Sequence, residues 1–195
     1  MISFLVLLNP FALFIYLNPV MNDLTQRDFF EVLGKATLIS LVIFLLFSEF
    51  GTLIFKFLEI NFESFRIFGG IVIFTMALIF IIQGKKSLIT LRGSLDELAS
   101  EIALPFMVGA GTISISIIIG ERFSSVQSIL IIISSMVINY IIIAILVYIK
   151  YSLSSVRVKI AFDKLMVYLL RVNGFFIGAI GISMTISGIR NLFFK

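Results

Sequence analysis

The 195-residue chain contains no cysteine and no histidine. Their absence excludes disulfides, thiol redox chemistry, Cys/His metal sites and histidine acid–base catalysis. Charge is scarce as well: Asp, Glu, Lys and Arg make up 13% of the chain, against about a quarter of a soluble domain. No segment between the apolar stretches is long enough to bury a core, so no soluble domain is expected. In excess are Ile, Leu, Val and Phe, with 60% hydrophobic residues and a mean hydropathy of +1.18. A water-soluble fold would have no polar surface left to face its solvent. The lipid bilayer is the solvent this composition fits.

The few charges mark out the spans. Uncharged stretches run from Met1 to Asn22, Ile67 to Gly84, Ile102 to Gly120, Phe123 to Ile149 and Val172 to Ile189. A sixth, Ala36 to Phe55, is interrupted only by Glu49. A membrane-spanning helix needs about 17–25 mostly apolar residues, and a barrel would show strict alternation instead. The chain therefore reads as all-α, a polytopic protein of six transmembrane helices. The first stretch lacks a basic n-region and an A-x-A-like site, so it reads as a span and not as a signal peptide.

Lys and Arg set the orientation. Ten fall in the first, third and fifth connections and five on the opposite side, which places both termini outside. The net charge of +4 is thus a membrane signature, with no nucleic acid implied.

Two halves are visible. Arg66-Ile67-Phe68-Gly69 opens the third span and Arg171-Val172-Asn173-Gly174 the sixth, while Pro10-Phe11 and Pro105-Phe106 sit inside the first and fourth. Three spans per half is an odd number, so the halves would be inverted repeats, residues 1–84 and 101–195, joined by a cytoplasmic loop at 85–100. Matching Gly/Pro interruptions in such repeats point to a midplane binding site.

Proline within a helix removes a hydrogen bond, and in lipid the freed carbonyl must find a partner in protein or in a wet cavity. Asn9-Pro10 also reads as a helix start, with Asn as cap and Pro at the first position. A half-helix beginning there would aim its N–H groups and positive dipole end at whatever lies near Asn9. Asn18-Pro19 repeats the pattern as a cap in the following turn. The fourth span carries Pro105 and then Gly109-Ala110-Gly111, where backbone can be approached closely, beside the hydroxyls of Thr112 and Ser114. Small residues also make packing surfaces between membrane helices; two breaks at corresponding places favour a site.

At these residues the chain resembles the MarC family of six-span bacterial membrane proteins. The resemblance rests on Asn9-Pro10-Phe11-Ala12 early in the first span and on Phe65-Arg66-Ile67-Phe68-Gly69-Gly70 entering the third. It continues with Pro105 followed by Gly109-Ala110-Gly111, and with the run from Gly174 to Gly188-Ile189. It covers nearly the whole chain in order. Ala12, Ile15, Glu101 and Ala110 stand where the family has glycine or proline, which softens the breaks. Some members of the family are described as neutral amino acid transporters. The resemblance therefore implies a secondary transporter of small neutral solutes such as glycine or alanine, in the bacterial inner membrane, with no cofactor.

The substrate site expected on this basis comprises Asn9, Pro10, Phe11, Pro105, Phe106, Gly109, Gly111, Thr112 and Ser114, with the two phenylalanines as walls. Glu49 is the one ionisable residue inside a span, and a charge there costs about 2.5–3.5 kcal/mol on insertion scales. It is the expected proton-coupling group, unless it reaches interfacial water. Asn139 and other polar residues in the spans are expected to hydrogen-bond between helices. Arg157, Lys164 and Arg171 recur every seven residues beside Val158, Phe162, Leu165 and Leu169, an amphipathic basic helix suited to the anionic inner leaflet. The partners expected are lipid and a small solute, with room for a homo-oligomer. An enzyme is not expected, for want of paired acid–base groups. A metal or cation exporter would need more ligands than Glu49 supplies. The remaining alternative is a structural or regulatory membrane protein that transports nothing.

Overall fold

The structure, a computed structural model, describes residues 2–18, 21, 24–83, 95–103 and 107–193. Among the described residues all regular structure is helical. In chain order the helices are α1 (Ile2–Leu8), α2 (Pro10–Tyr16), α3 (Gln26–Phe57), α4 (Phe62–Gln83), α5 (Leu95–Ile102), α6 (Ala110–Arg122), α7 (Ser125–Ser152) and α8 (Val156–Phe193). Four of them, α3, α4, α7 and α8, are long and apolar enough to cross a membrane. The first span is broken into α1 and α2 at Asn9-Pro10, as read from the sequence; in the fourth, α6 starts only at Ala110, after Gly109, and α5 covers residues 95–102, ahead of the uncharged stretch.

Two helices run well past their apolar stretches. α3 begins at Gln26, ten residues before the uncharged run, because the Thr25 hydroxyl accepts from Asp28 N–H and Glu31 pairs with Lys35 at 2.8 Å. α8 has 38 residues, about 57 Å at helical rise, against a hydrocarbon core of about 30 Å. Arg171-Val172-Asn173-Gly174 therefore opens no new element. The basic amphipathic stretch and the sixth span are one uninterrupted helix.

Packing is reciprocal between the halves. The broken span α1–α2 lies against α7 and α8, and the pair α5 and α6 lies against α3 and α4. The most extensive contact joins α4 to α8. These two run antiparallel, with Gly188 against Glu63, Gly181 against Gly70 and Gly174 against Ala77. At the centre of this seam a Cβ on Gly181 would stand 2.7 Å from Gly70 O, so only glycine permits the approach. Gly120 on α6 meets the Ser48 carbonyl of α3 in the same way. Phe4 and Phe44 pack edge to face with ring centroids 5.0 Å apart, and Phe14 and Phe162 do so at 5.7 Å. The other faces of α3 and α7 present Leu38, Leu46, Leu53, Leu130, Val137 and Ile145 outward, where lipid belongs.

Polar residues inside the helices mostly bond within their own helix. Ser40, Thr75, Ser135 and Thr185 each donate to the carbonyl four residues earlier. Asn139 is fully buried, and both polar atoms of its amide lack a protein partner among the described residues.

Candidate functional site

Both helix breaks open on the same cavity. Asn9 joins α1 to α2 in the left-handed conformation, at φ 47° and ψ 73°, which Asn tolerates better than most residues. Its Oδ1 accepts from Ala12 N–H at 3.1 Å, capping α2. Pro10 has no N–H for the carbonyl of Val6, four residues earlier. Asn173 of α8 repairs that loss, its Nδ2 donating to Val6 O at 3.3 Å. This is the rescue by a neighbouring helix that a break in lipid requires.

The second break is built differently. Ala103 O accepts from Val108 N–H at 2.9 Å, a widened turn, and Gly109 then starts α6 with extended backbone. Glycine has no side chain with which to cap a helix, so Thr112 acts instead. Its hydroxyl accepts from Gly109 N–H at 2.9 Å and lies 3.0 Å from the carbonyls of Met107 and Gly109, to which it can donate. The first N–H groups of α6, those of Ala110 and Gly111 among them, have no partner within the helix. They form the positive end of its dipole.

Between the breaks lies a cavity of about 190 Å³, enough for several waters or one small solute. Asn9, Gly109, Ala110, Gly111 and Thr112 line it, together with Leu7, Leu8, Ala12, Leu13, Tyr16 and Met107. α4 contributes Val72, Ile73, Met76 and Phe80, and α8 contributes Ile177. Asn9 is 3% exposed, and its Nδ2 has no hydrogen-bond partner among the described residues. The cavity thus combines a residue with a buried amide donor and a helix N-terminus with a mostly apolar wall. A Cβ on Gly111 would collide with the side chain of Ile73, so that glycine keeps α4 close to the site. Gly109 has open space where a Cβ would stand.

Of the residues expected from sequence, Asn9, Gly109, Gly111 and Thr112 come together here. Pro10 and Phe11 flank the break without lining the cavity, and the fully buried Ser114 packs against Gly69 of α4. Pro105 and Phe106 lie outside the described residues. Glu49, half-buried on α3, is not a lining residue; its Oε1 is buried and has no hydrogen-bond partner among the described residues. The α4 wall and Tyr16 were not anticipated, because an apolar residue facing a cavity reads like one facing lipid.

At the end nearer Tyr16 the helices are tied by Lys150. Its Nζ donates to Asn18 Oδ1 and, at 2.9 Å, to Asp163 Oδ1, and it lies 5.7 Å from the centroid of the Phe14 ring. Asn18 thus serves as an acceptor for α7; Pro19, expected beside it in a cap, lies outside the described residues. Tyr151 OH donates to Met21 O at 2.9 Å beside it. One lysine therefore joins α7, α8 and the end of the first span.

Comparisons with known proteins agree on kinship. A UPF0056 membrane protein of Aquifex aeolicus is 22% identical over 98% of this chain and 91% of its own. One from Methanocaldococcus jannaschii is 25% identical over 95% of this chain and 87% of its own. The UPF0056 membrane protein YhcE of Escherichia coli is 32% identical over 65% of this chain and 62% of its own. No solved structure matches. The family description "MarC family integral membrane protein" matches residues 1–193, and this multi-pass chain belongs to that family.

Proposed function

We propose that this chain is a secondary transporter of small neutral solutes, with glycine and alanine the first candidates, and that it performs no catalysis. The observation that carries the reading is the meeting of two helix breaks, one from each half, at a single small cavity. Asn9 Nδ2 and the amides at the start of α6 are donors suited to a solute carboxylate. The apolar walls select a short side chain by size. The two halves, taken as inverted repeats, would rock about this site to expose it alternately. Glu49, whose buried Oε1 has no hydrogen-bond partner among the described residues, is the group proposed to carry a coupled proton. The chain would lie in the inner membrane with both termini outside, on the Lys and Arg asymmetry. That puts the Arg66 end outside and the Lys150 end inside.

A structural or regulatory protein that transports nothing is the second reading. It draws on Ala12 and Ala110, whose methyl groups line the cavity where the family resemblance leads one to expect glycine and proline.

Uptake of labelled glycine and alanine into proteoliposomes, with and without a pH gradient, decides between them. Wild type should accumulate solute with the gradient, and Gly111→Leu should not, because Leu displaces Ile73 into the cavity. Asn9→Gly keeps the left-handed backbone, loses a cap worth roughly a few tenths of a kcal/mol relative to glycine, and removes the amide donor, so uptake affinity should fall about tenfold. Glu49→Gln should retain binding and lose gradient coupling. A well-folded wild type that moves neither solute would sink the amino acid assignment.

A further inference from the structure

A second cavity, of about 620 Å³, lies at the other end of the same four elements. We propose that it is an oxyanion-docking vestibule, in which Arg66 and Arg122 receive the carboxylate of a solute before it passes to the midplane cavity. The identity of the solute rests on the transport reading; the oxyanion site does not.

Two guanidiniums line this cavity, Arg66 from α4 and Arg122 from the last turn of α6, with the hydroxyl residues Ser3, Ser183 and Ser187. No acidic residue is among the described residues that line it. Arg66 is not fully used by its neighbour: its Nη1 stands 3.6 Å from Glu63 Oε2, beyond hydrogen-bond distance. Glu63 Oε2 stays in that longer ion pair, buried and with no hydrogen-bond partner among the described residues, while Glu63 Oε1 accepts from Asn191 Nδ2 at 3.1 Å. Arg66 Nε is buried and has no hydrogen-bond partner among the described residues. A buried guanidinium N–H without a hydrogen bond is costly, and the planar guanidinium fork matches a two-oxygen acceptor such as carboxylate or phosphate. Glu63 and Glu121 nearby hold the local field down, so recognition depends on the fork and the hydroxyls, and capture stays weak enough to release.

Position ties the vestibule to the inner site. α1 lines it with Ser3 and Phe4 and lines the midplane cavity with Leu7 and Leu8; α4 and α6 likewise line both, at different positions along each helix. Phe4, fully buried against Phe44, stands in the layer between.

The test uses the full chain in nanodiscs of phosphatidylcholine alone. Phenylglyoxal modifies accessible arginines, and mass spectrometry follows Arg66 and Arg122 with Arg27 and Arg157 as internal references. Acetate should slow modification at Arg66 and Arg122 only, and acetamide should not. Arg122→Gln should raise the acetate concentration for half-protection of Arg66 about tenfold. Ser187→Leu, which fills the vestibule and leaves both arginines in the chain, should abolish protection even if Arg122→Gln folds poorly. Protection by added phosphatidylglycerol but not by acetate would overturn the docking of solute in favour of a lipid phosphate. Protection by neither would overturn the oxyanion site altogether. If acetate protects while proteoliposomes move no solute, the transport reading has failed and the oxyanion site stands.

Discussion

The seam between α4 and α8 can be tested with two substitutions one turn apart. In Gly181→Ala the new Cβ would stand 2.7 Å from Gly70 O and 2.8 Å from Phe74 N. Both are backbone atoms, so no rotamer change relieves the contact. It falls short of ordinary van der Waals separation by about 0.7 Å, and a gap of that size along a packed seam forfeits a quarter to a half of its dispersion energy. Overpacking typically costs about 1–3 kcal/mol, and a backbone contact belongs at the upper end. Gly178→Ala is the control. Its Cβ would meet Ala77 Cβ at 3.4 Å and Phe74 Cδ2 at 3.9 Å, which is ordinary contact. Alanine also improves helix propensity there by about 0.5–1 kcal/mol. Melting followed by circular dichroism at the helical minimum, in one detergent, gives the comparison. Gly181→Ala should melt about 6–12 °C below wild type, and Gly178→Ala at or slightly above it. Equal losses in the two variants, or none in Gly181→Ala, would refute the claim that backbone contact at Gly70–Gly181 sets the distance between these helices.

Two further outcomes are expected from the same melting assay. Lys150→Met removes the donor shared by Asn18 and Asp163 and should cost about 1–3 kcal/mol. Asp163→Asn in the same chain should recover part of that loss, and strict additivity of the two would show that the pair is not coupled. Glu121, at the polar end of α6, has its carboxyl raised above the ordinary value by burial and then by Glu63, against the opposing pull of Arg66 and Arg122. The folded state therefore holds this proton at a pH where the unfolded state has released it, so this group's contribution improves as pH falls through the raised value. Relative to Glu121→Gln, wild type should be least stable near neutral pH and should draw level as the pH approaches about 4–5. A gap that widens in acid would reverse the sign and reject the cause.

The sequence was most informative where backbone chemistry is forced. Proline without an N–H and Asn ahead of it leave few ways to continue a helix, so the break in the first span could be located before any coordinates. Helix length was less legible. Runs without charge mark the part of a helix that lies in lipid, but a cap at Thr25 and a Glu31–Lys35 pair extend α3 well beyond it. The same blindness divided α8 at Arg171 to Gly174. There Asn173 and Gly174 serve interhelical contacts within an unbroken helix, the first to Val6 O and the second admitting α4.

The candidate site was legible only in its polar half. Asn9, Gly109, Gly111 and Thr112 announce themselves because each is unusual inside an apolar span. Val72, Ile73, Met76 and Phe80 do not, since facing a cavity and facing lipid require the same side chains. Asn9 shows why the polar half matters more. Its carbonyl oxygen alone would cap α2, and serine or aspartate could do that as well. Only an amide caps the helix with one atom and leaves a buried N–H donor on the other, in a residue that lines the same cavity as the start of α6. Asn139 carries an unpaired amide as well without lining this cavity, so what supports the proposed site is the place of Asn9 on one cavity with the start of α6, and not the unpaired donor by itself.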